Sequence, residues 1–444
     1  DKTSPLRSVK ALEDIAPVLA VCYGMQMTAQ EAGGQIKESH DRSYGKSLIC
    51  WEKPLVSGIG NQEVWMSHGD SVQALPPSAE LLARTSKGVI AAFALNRIWA
   101  LQFHPEVSHT RGGMEILKAF AKKCQAPEGS WNIKVIVKHL VETIQETVPS
   151  SQKVFCALSG GVDSTVTAQL LTKALGAERV YCVFVDTGLL RKGEFEEVLN
   201  LYKNLRLNVK GVQAEELFLS RLKGISDPEK KRKIIGQTFI DVFKEESQGI
   251  EWLAQGTLYP DIIESLSPKG GVTIKSHHNV GGLPKELNFK LIEPLKELFK
   301  DEVRELGKSL DLPHESLYRH PFPGPGLGVR ILGPITKGDL EILRTADAVY
   351  IQALRDHDLY HKIWQAFCVL IPVKTVGVQG DSRSYDKVIA LRAVTSEDGM
   401  TADWYVFPEN FLQEVSSRII NKTKGVNRVV YDITTKPPGT IEWE

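Results

Sequence analysis

Two short stretches of the chain combine residue types that do covalent chemistry. In the first, the apolar run Pro17–Val21 hands over to Cys22-Tyr23-Gly24-Met25-Gln26, which continues with helical spacing. A thiol at such a junction sits at the positive end of a helix, where the reactive thiolate is favoured. Gly24 is expected to let the chain turn tightly beside it. Taken alone, Cys22 reads most simply as a small core residue. What argues otherwise is Phe103-His104-Pro105-Glu106 after the apolar run Ile98–Gln102. Residues two apart in extended chain share a face, so Glu106 can orient the His104 imidazole. Nucleophile, base and orienting carboxylate are the parts that acyl transfer needs.

The second stretch is Ser159-Gly160-Gly161-Val162-Asp163-Ser164-Thr165, between a buried-strand pattern at 153–158 and a helical one at 165–175. Glycines let backbone N–H groups approach an anion, and hydroxyls and a helix N-terminus add donors. A plain turn capped by Asp163 or Ser164 is the simpler account. The run is not a Walker A loop, which needs a Lys after its second glycine. The one near miss, His40–Ser47, has His where that loop starts with Gly. Further along, the basic run Glu229–Lys233 reads as a solvated helix face. The paired His277-His278 would ordinarily be surface residues. They stand, however, in Ile274–Pro284 with Lys275 and two glycines, a loop suited to closing over a reacting centre.

These residues need elements to hold them, and the composition limits what those are. At 444 residues the chain should form two to four domains. Apolar residues make up 42% and charged residues 24%, an ordinary globular balance that excludes disorder and low-complexity scaffolds. Lys plus Arg and Asp plus Glu cancel at 54 each, so no bulk field draws the chain to nucleic acid or an anionic membrane. No apolar run is long enough to span a bilayer. Six cysteines without paired or CxxC spacing argue for a reducing, cytoplasmic compartment and against a disulfide framework or zinc site. The first residue is Asp1, and a segment upstream of it is expected. Up to about Gln125, short apolar strands alternate with Gly-rich turns, and residues 112–124 have helical period. From 132 to about 330, strands alternate with helices, which suggests a doubly wound parallel sheet. Gln125–Trp131 and the Pro/Gly cluster His320–Gly328 read as boundaries, and strand runs at 387–394 and 428–434 among helices suggest a small α+β domain. The expected architecture is α/β, with domains at 1–130, 131–330 and 331–444.

CYGMQ (22–26), SHGD (67–70) and FHPEV (103–107) resemble the class I glutamine amidotransferases. The resemblance implies Cys22 as nucleophile, His104 as base, Glu106 as its partner, and Gln26 and His68 near bound glutamine. Ala20 replaces the glycine usual in that family. The family's opening strands and oxyanion loop would lie before Asp1, so the domain is expected to be N-terminally incomplete. SGGVDST is similar to the PP-loop of N-type ATP pyrophosphatases, which implies that Ser159, Gly160, Gly161, Val162, Asp163, Ser164 and Thr165 bind ATP.

The pairing of these two halves, with HHNVGGLP, PFPGPG and KPPGTIEWE (436–444), resembles the GMP synthetase family from Pro17 to Glu444. That implies ligase chemistry with glutamine, ATP and xanthosine 5′-monophosphate (XMP) as substrates, Mg²⁺ accompanying ATP, and a homodimer formed through the residues after about 330. No nucleic acid or membrane partner is implied, and no protein ligands for a metal can be named. By the same resemblance Arg232, Gln365, Asp381, Arg383, Lys436, Ile441 and Glu442 hold or neighbour XMP. Lys275, His277, His278, Lys296, Lys300 and Asp301 form or support a lid. NAD or asparagine synthetases pair the PP-loop with other glutaminase types. A tRNA sulfurtransferase would want catalytic cysteines where Cys156 and Cys182 lie inside apolar runs. A scaffold with dead sites would not keep all of Cys22, His104, Glu106 and Ser159–Thr165.

Overall fold

The computed structural model describes residues 8–107, 109–127, 132–265, 289–379, 381–396, 399 and 401–444. Two compact units divide the chain, Asp1–Ser130 and Trp131–Glu444. In the first, six strands form one sheet: β1 (Val18–Val21), β2 (Gln35–Trp51), β3 (Gln62–Ala74), β4 (Glu80–Thr85), β5 (Ile90–Leu95) and β6 (Ile98–Leu101). Their order is β1-β6-β5-β4-β2-β3, with β1 parallel to β6 and the other pairs antiparallel. The apolar runs at 17–21, 64–66, 88–95 and 98–103 fall on β1, β3, β5 and β6, while β2 and β4 carried no such run. One core cluster gathers Ile90, Phe93 and Ile98 with Met25 and Ala29 of the Tyr23–Glu31 helix. Another gathers Val64, Met66 and Phe103 with Ile116 of the Gly113–Lys123 helix. The Walker-like His40–Ser47 lies within β2, and its residues 43–47 pair with β3 in a sheet ladder, so Gly45, Lys46 and Ser47 are not free to wrap a phosphate.

The second unit opens with the Ile133–Thr147 helix, capped by the Asn132 side chain on Lys134 N–H at 2.9 Å. Five parallel strands follow: β7 (Val154–Leu158), β8 (Val180–Asp186), β9 (Val209–Gln213), β10 (Trp252–Ala254) and β11 (Lys290–Ile292). Side chains alternate across this sheet, as a pleat demands. Val154, Cys156, Leu158, Cys182 and Phe184 enter one core, while Phe155, Val183, Val185 and Leu253 enter the other. Both faces are therefore covered, and the strands are apolar throughout for that reason. The order β11-β10-β7-β8-β9 runs outward from β7 in both directions. The loop after β7 thus opens at the point where strand order reverses, where α/β sheets form ligand crevices.

The rest of this unit is an antiparallel sheet, β12 (Gln365–Gln379), β13 (Ser382–Thr395) and β14 (Asp403–Trp404), with β15 (Val426–Tyr431) parallel to β13. The Lys337–Asp356 and Phe411–Lys422 helices pack on it. One continuous core runs from Phe155 through Leu327, Leu343 and Tyr350 to Ile389 and Val426. The Pro/Gly cluster His320–Gly328 feeds into that core: His320, Gly326, Leu327 and Gly328 are all buried. It is a packed turn where the sequence suggested a boundary. Among the described residues no helix is long and apolar enough to cross a membrane.

Candidate active site

Parallel pairing of β1 with β6 sets Val21 opposite Leu101, so the chain leaves both strands at the same edge. Cys22 donates its N–H to Leu101 O at 2.7 Å and then turns with φ 52 and ψ −107 into the Tyr23–Glu31 helix. A side-chain-bearing residue in that region is strained, and strain held at a strand-to-helix turn lifts a nucleophile into the open. The turn expected at Gly24 is made by Cys22 itself. Gly24 lies inside the helix, and a Cβ there would only touch Ala20 Cβ at an ordinary 3.6 Å. Ala20 in place of the family's glycine is therefore accommodated.

His104 is placed by its backbone. Its N–H donates to Trp65 O at 3.0 Å, and Thr110 Oγ1 donates to His104 O at 2.6 Å. Its Nδ1–H donates to Glu106 Oε1 at 2.6 Å, which leaves Nε2 for the sulfur. The hydrogen bond with Cys22, then that with Glu106, outweigh burial and push the His104 imidazolium up to about 10. Burial alone would raise the Glu106 carboxyl. Its bond to His104, its own backbone N–H and the imidazolium charge together hold it below the usual carboxylate range. At neutral pH the arrangement is a sulfur beside a charged imidazolium, ready to attack a carbonyl and to protonate a leaving amine.

Gln26 and His68 are buried beside this group and both reach Asp70 O, Gln26 Nε2 at 2.8 Å and His68 Nδ1 at 2.9 Å. Burial, and the nearby His104 charge, keep the His68 imidazole below its ordinary range and neutral. Sequence reasoning missed Gln102, which is fully buried. Its Nε2 lies 3.8 Å from Cys22 Sγ, and its Oε1 accepts from Gln26 at 3.4 Å. Its one signal was a polar residue closing an otherwise apolar strand, two before His104.

In the second unit, β7 ends at Leu158 and the Val162–Leu175 helix begins after a turn with Gly160 at φ +78. Ser164 Oγ accepts from Ser159 N–H at 3.2 Å, and Thr165 Oγ1 donates to Gly161 O at 2.7 Å. The loop is thereby fixed with its glycine amides beside a helix N-terminus. Asp163 pairs with Lys300, whose Nζ is 2.6 Å from each carboxylate oxygen. Asp301 is exposed in the first turn of the same Lys300–Ser309 helix, and Lys296 is exposed just before it. Lys275, His277 and His278 lie outside the described residues.

A third cluster forms around the last residues. Glu442 Oε1 accepts from Gln365 Nε2 at 2.8 Å and from Arg330 Nη2 at 2.8 Å, while Glu442 Oε2 accepts from Arg330 Nε at 3.1 Å. Ile441 is buried, Lys436 Nζ donates to Gly399 O at 2.6 Å, and Arg232 donates to the Glu444 backbone oxygen. The basic run at 229–233 is not simply a solvated face. Helical period puts Lys231 on the buried side with Ile235 and Thr238, where it pairs with the Glu444 carboxylate and donates to Ile331 O at 2.7 Å. Lys231, Arg330 and Glu444 were not singled out from the sequence. Asp381 and Arg383 stand apart from this cluster. Arg383 faces Val378 near the far end of the β12–β13 hairpin, roughly 40 Å of strand from Gln365 at ~3.3 Å per residue.

The segment after β8 joins the ATP-like loop's sheet to this cluster. Leu189 O accepts Leu327 N–H at 2.8 Å, and Arg191 pairs with Asp347 at 3.2 Å beneath Phe322. Gly326 has φ +60, and a Cβ there would lie 2.4 Å from Leu189 O, so only glycine fits. His320 in the same turn is a structural histidine. It stacks on Tyr360 at 3.9 Å, and burial pushes its imidazole down to about 4.

Residues 3–124 match the class-I glutamine amidotransferase family, 132–235 the NAD synthase family and 352–443 the GMP synthase C-terminal domain. A GMP synthase (glutamine-hydrolyzing) of Bdellovibrio bacteriovorus is 58% identical over 99% of this chain and 88% of its own length. Those of Chlorobium chlorochromatii and Bartonella bacilliformis are 53% and 50% identical, over 96% and 100% of this chain and 86% and 88% of their own lengths. Identity of this extent, across all three clusters of residues, makes the chain a member of the glutamine-hydrolysing GMP synthases.

Proposed function

We propose that the chain makes GMP from XMP, glutamine and ATP. Cys22 Sγ attacks the glutamine side-chain carbonyl, and the imidazolium of His104 gives its proton to the departing ammonia. Water then hydrolyses the thioester to glutamate, with His104 as base. Gln26, His68 and Gln102 shape the pocket, since all three are buried beside the sulfur or its imidazole. In the second unit the XMP O2 oxygen attacks the α-phosphorus of ATP. Pyrophosphate leaves into the amides and hydroxyls of Ser159–Thr165, and ammonia displaces AMP from C2. A ring oxygen is a poor leaving group, and its conversion to an AMP ester is what makes the substitution feasible.

The observation that carries this reading is the Cys22–His104–Glu106 group together with a glycine loop at a strand-order switch point, on a chain of this family. Arg232, Gln365, Lys436, Ile441 and Glu442 are proposed to hold XMP. Lys296, Lys300 and Asp301 are proposed to support a lid with Lys275, His277 and His278. Among the described residues no group of three or more His, Cys, Asp or Glu side chains is assembled to bind a metal. Mg²⁺ is commonly held by phosphates, water and one or two carboxylates, and Asp163 is the carboxylate that fits that part. The chain is proposed to act in the cytoplasm as a homodimer, with the β12–β13 hairpin as interface. Val373, Val376, Val378 and Tyr385 are all exposed along that hairpin, an apolar stripe that a second copy would cover. A neighbouring copy would also bring Asp381 and Arg383 to a nucleotide that they do not reach from their own chain.

Cys22→Ala tests the division of labour. Glutamine-dependent synthesis is expected to vanish while synthesis from added ammonia continues unchanged. Equal loss of both would show that the thiol is not a separate ammonia source.

A further inference from the structure

Three cations without solvent exposure anchor the last thirteen residues of the chain: Lys231, Arg330 and Arg392. Arg392 donates to Thr434 O at 2.6 Å and Thr440 O at 3.2 Å, and Lys231 pairs with Glu444. Arg330 differs from both in that its two hydrogen bonds go to a single side chain, Glu442. Its guanidinium lies 4.1 Å from the Phe367 ring centre and 5.1 Å from that of Phe322. Its third nitrogen, Nη1, is buried without a hydrogen-bond partner. The buried Arg392 also leaves one donor, Nε, without a partner, so the orphaned nitrogen alone does not set Arg330 apart; the fork closed on one carboxylate does.

That fork has a countable effect. A carboxylate offers about four lone-pair positions. Oε1 spends two, on Arg330 Nη2 and Gln365 Nε2, and Oε2 spends one on Arg330 Nε. Gln365 is itself fixed, because its Nε2 also donates to Pro321 O at 3.0 Å. One acceptor is left, on Oε2, and the Glu442 side chain keeps 18% of its exposure.

We propose that Arg330 is a positioning residue for base selectivity: it clamps Glu442 so that one Oε2 lone pair accepts a purine ring N–H. This rests on the reading of Glu442 as a nucleotide contact. Xanthine and hypoxanthine carry a ring N–H and can donate to that lone pair. Adenine presents ring acceptors instead, and lone pair meets lone pair. Without the clamp the carboxylate can rotate to suit other bases, so selectivity falls along with affinity.

The test uses the full chain with ATP, Mg²⁺ and added ammonia, and compares parent, Arg330→Lys, Glu442→Gln and the double variant. The readouts are KM for XMP, KM for ATP, and the ratio of the inhibition constants of IMP and AMP measured as competitors of XMP. Lysine keeps the charge but loses the planar fork. Arg330→Lys is expected to raise the XMP KM by roughly 10-fold or more, the worth of one hydrogen bond to a charged group. It should move the IMP/AMP ratio toward one and leave the ATP KM near parent. The double variant should be no worse than the poorer single, since both act on one contact. A merely structural arginine would alter thermal stability and both KM values without moving the ratio, and that result overturns the proposal. An XMP KM and ratio unchanged in Arg330→Lys but impaired in Glu442→Gln also overturn it, leaving the Glu442 contact standing. Parent-like behaviour of Glu442→Gln removes the contact itself. Should Arg330→Lys fail to fold, Gln365→Met opens Oε1 without touching the guanidinium. A ratio moved toward one there supports the lone-pair account, and an unchanged ratio overturns it.

Discussion

His104 keeps its proton because the Cys22 sulfur and the Glu106 carboxylate both favour the imidazolium, and the gain outweighs burial. A histidine raised from 6.5 to about 10 contributes stability that is complete below pH 6.5 and fades as pH rises through about 10. Glutaminase activity should share that alkaline limit. Glu106→Gln removes the second of the two supports, so the alkaline limb should move to lower pH and the glutamine-dependent rate fall by roughly 10²–10⁴-fold. A pH–rate profile with glutamine and a control with ammonia, unchanged in the variant, check this. Spacing alone brought Cys22, His104 and Glu106 into view, because a thiol at a strand end and an imidazole two residues from a carboxylate have few other uses together. Gln102 stayed hidden because a single glutamine in an apolar strand carries no chemical signature. Lys231 and Arg330 stayed hidden because isolated cations are normally solvated. Their burial depends on partners far away in sequence, in the last residues and, for Lys231, also at Ile331.

Turns carry the next level of organisation. The segment after β8 lies against the Gly326 turn, so one stretch of backbone supports both the glycine loop's sheet and the cluster around Glu442. Gly326→Ala would force a Cβ toward Leu189 O at 2.4 Å from a positive φ. A cost of about 1–3 kcal/mol is expected. Thermal unfolding of the variant should show it, and the KM for XMP should rise with it. β7 and β8 were legible as apolar strands between helices, while the three-residue β10 was too short to show. Their order in the sheet was not legible, since it depends on pairings between residues a hundred positions apart, such as Phe155 with Leu253. Proline and glycine in His320–Gly328 were read as punctuation. Tight packing against Leu189 uses the same residue types for a different purpose.

For the molecule as a whole, the β12–β13 hairpin is a feature that a lone chain leaves uncovered, with four exposed apolar side chains along it. Val378 is 78% exposed on it. If the proposed dimer forms through this hairpin, Val378→Asp is expected to shift it toward monomer in light scattering, and to weaken synthesis from ammonia if Asp381 and Arg383 serve a neighbouring copy. Dimers unchanged by the substitution would place the interface elsewhere. The sequence offered no sign of the stripe, because valines in a strand pattern look the same whether a core or a partner covers them. The position of β7 carries a last consequence. It has a hydrogen-bonded strand on each side and a core on each face, with Val154, Phe155 and Cys156 at 1% exposure or less. Deuterium should therefore enter its amides among the slowest in the protein, near the rate of global opening. The loop proposed to grip a triphosphate would then hang from the part of the fold that breathes least.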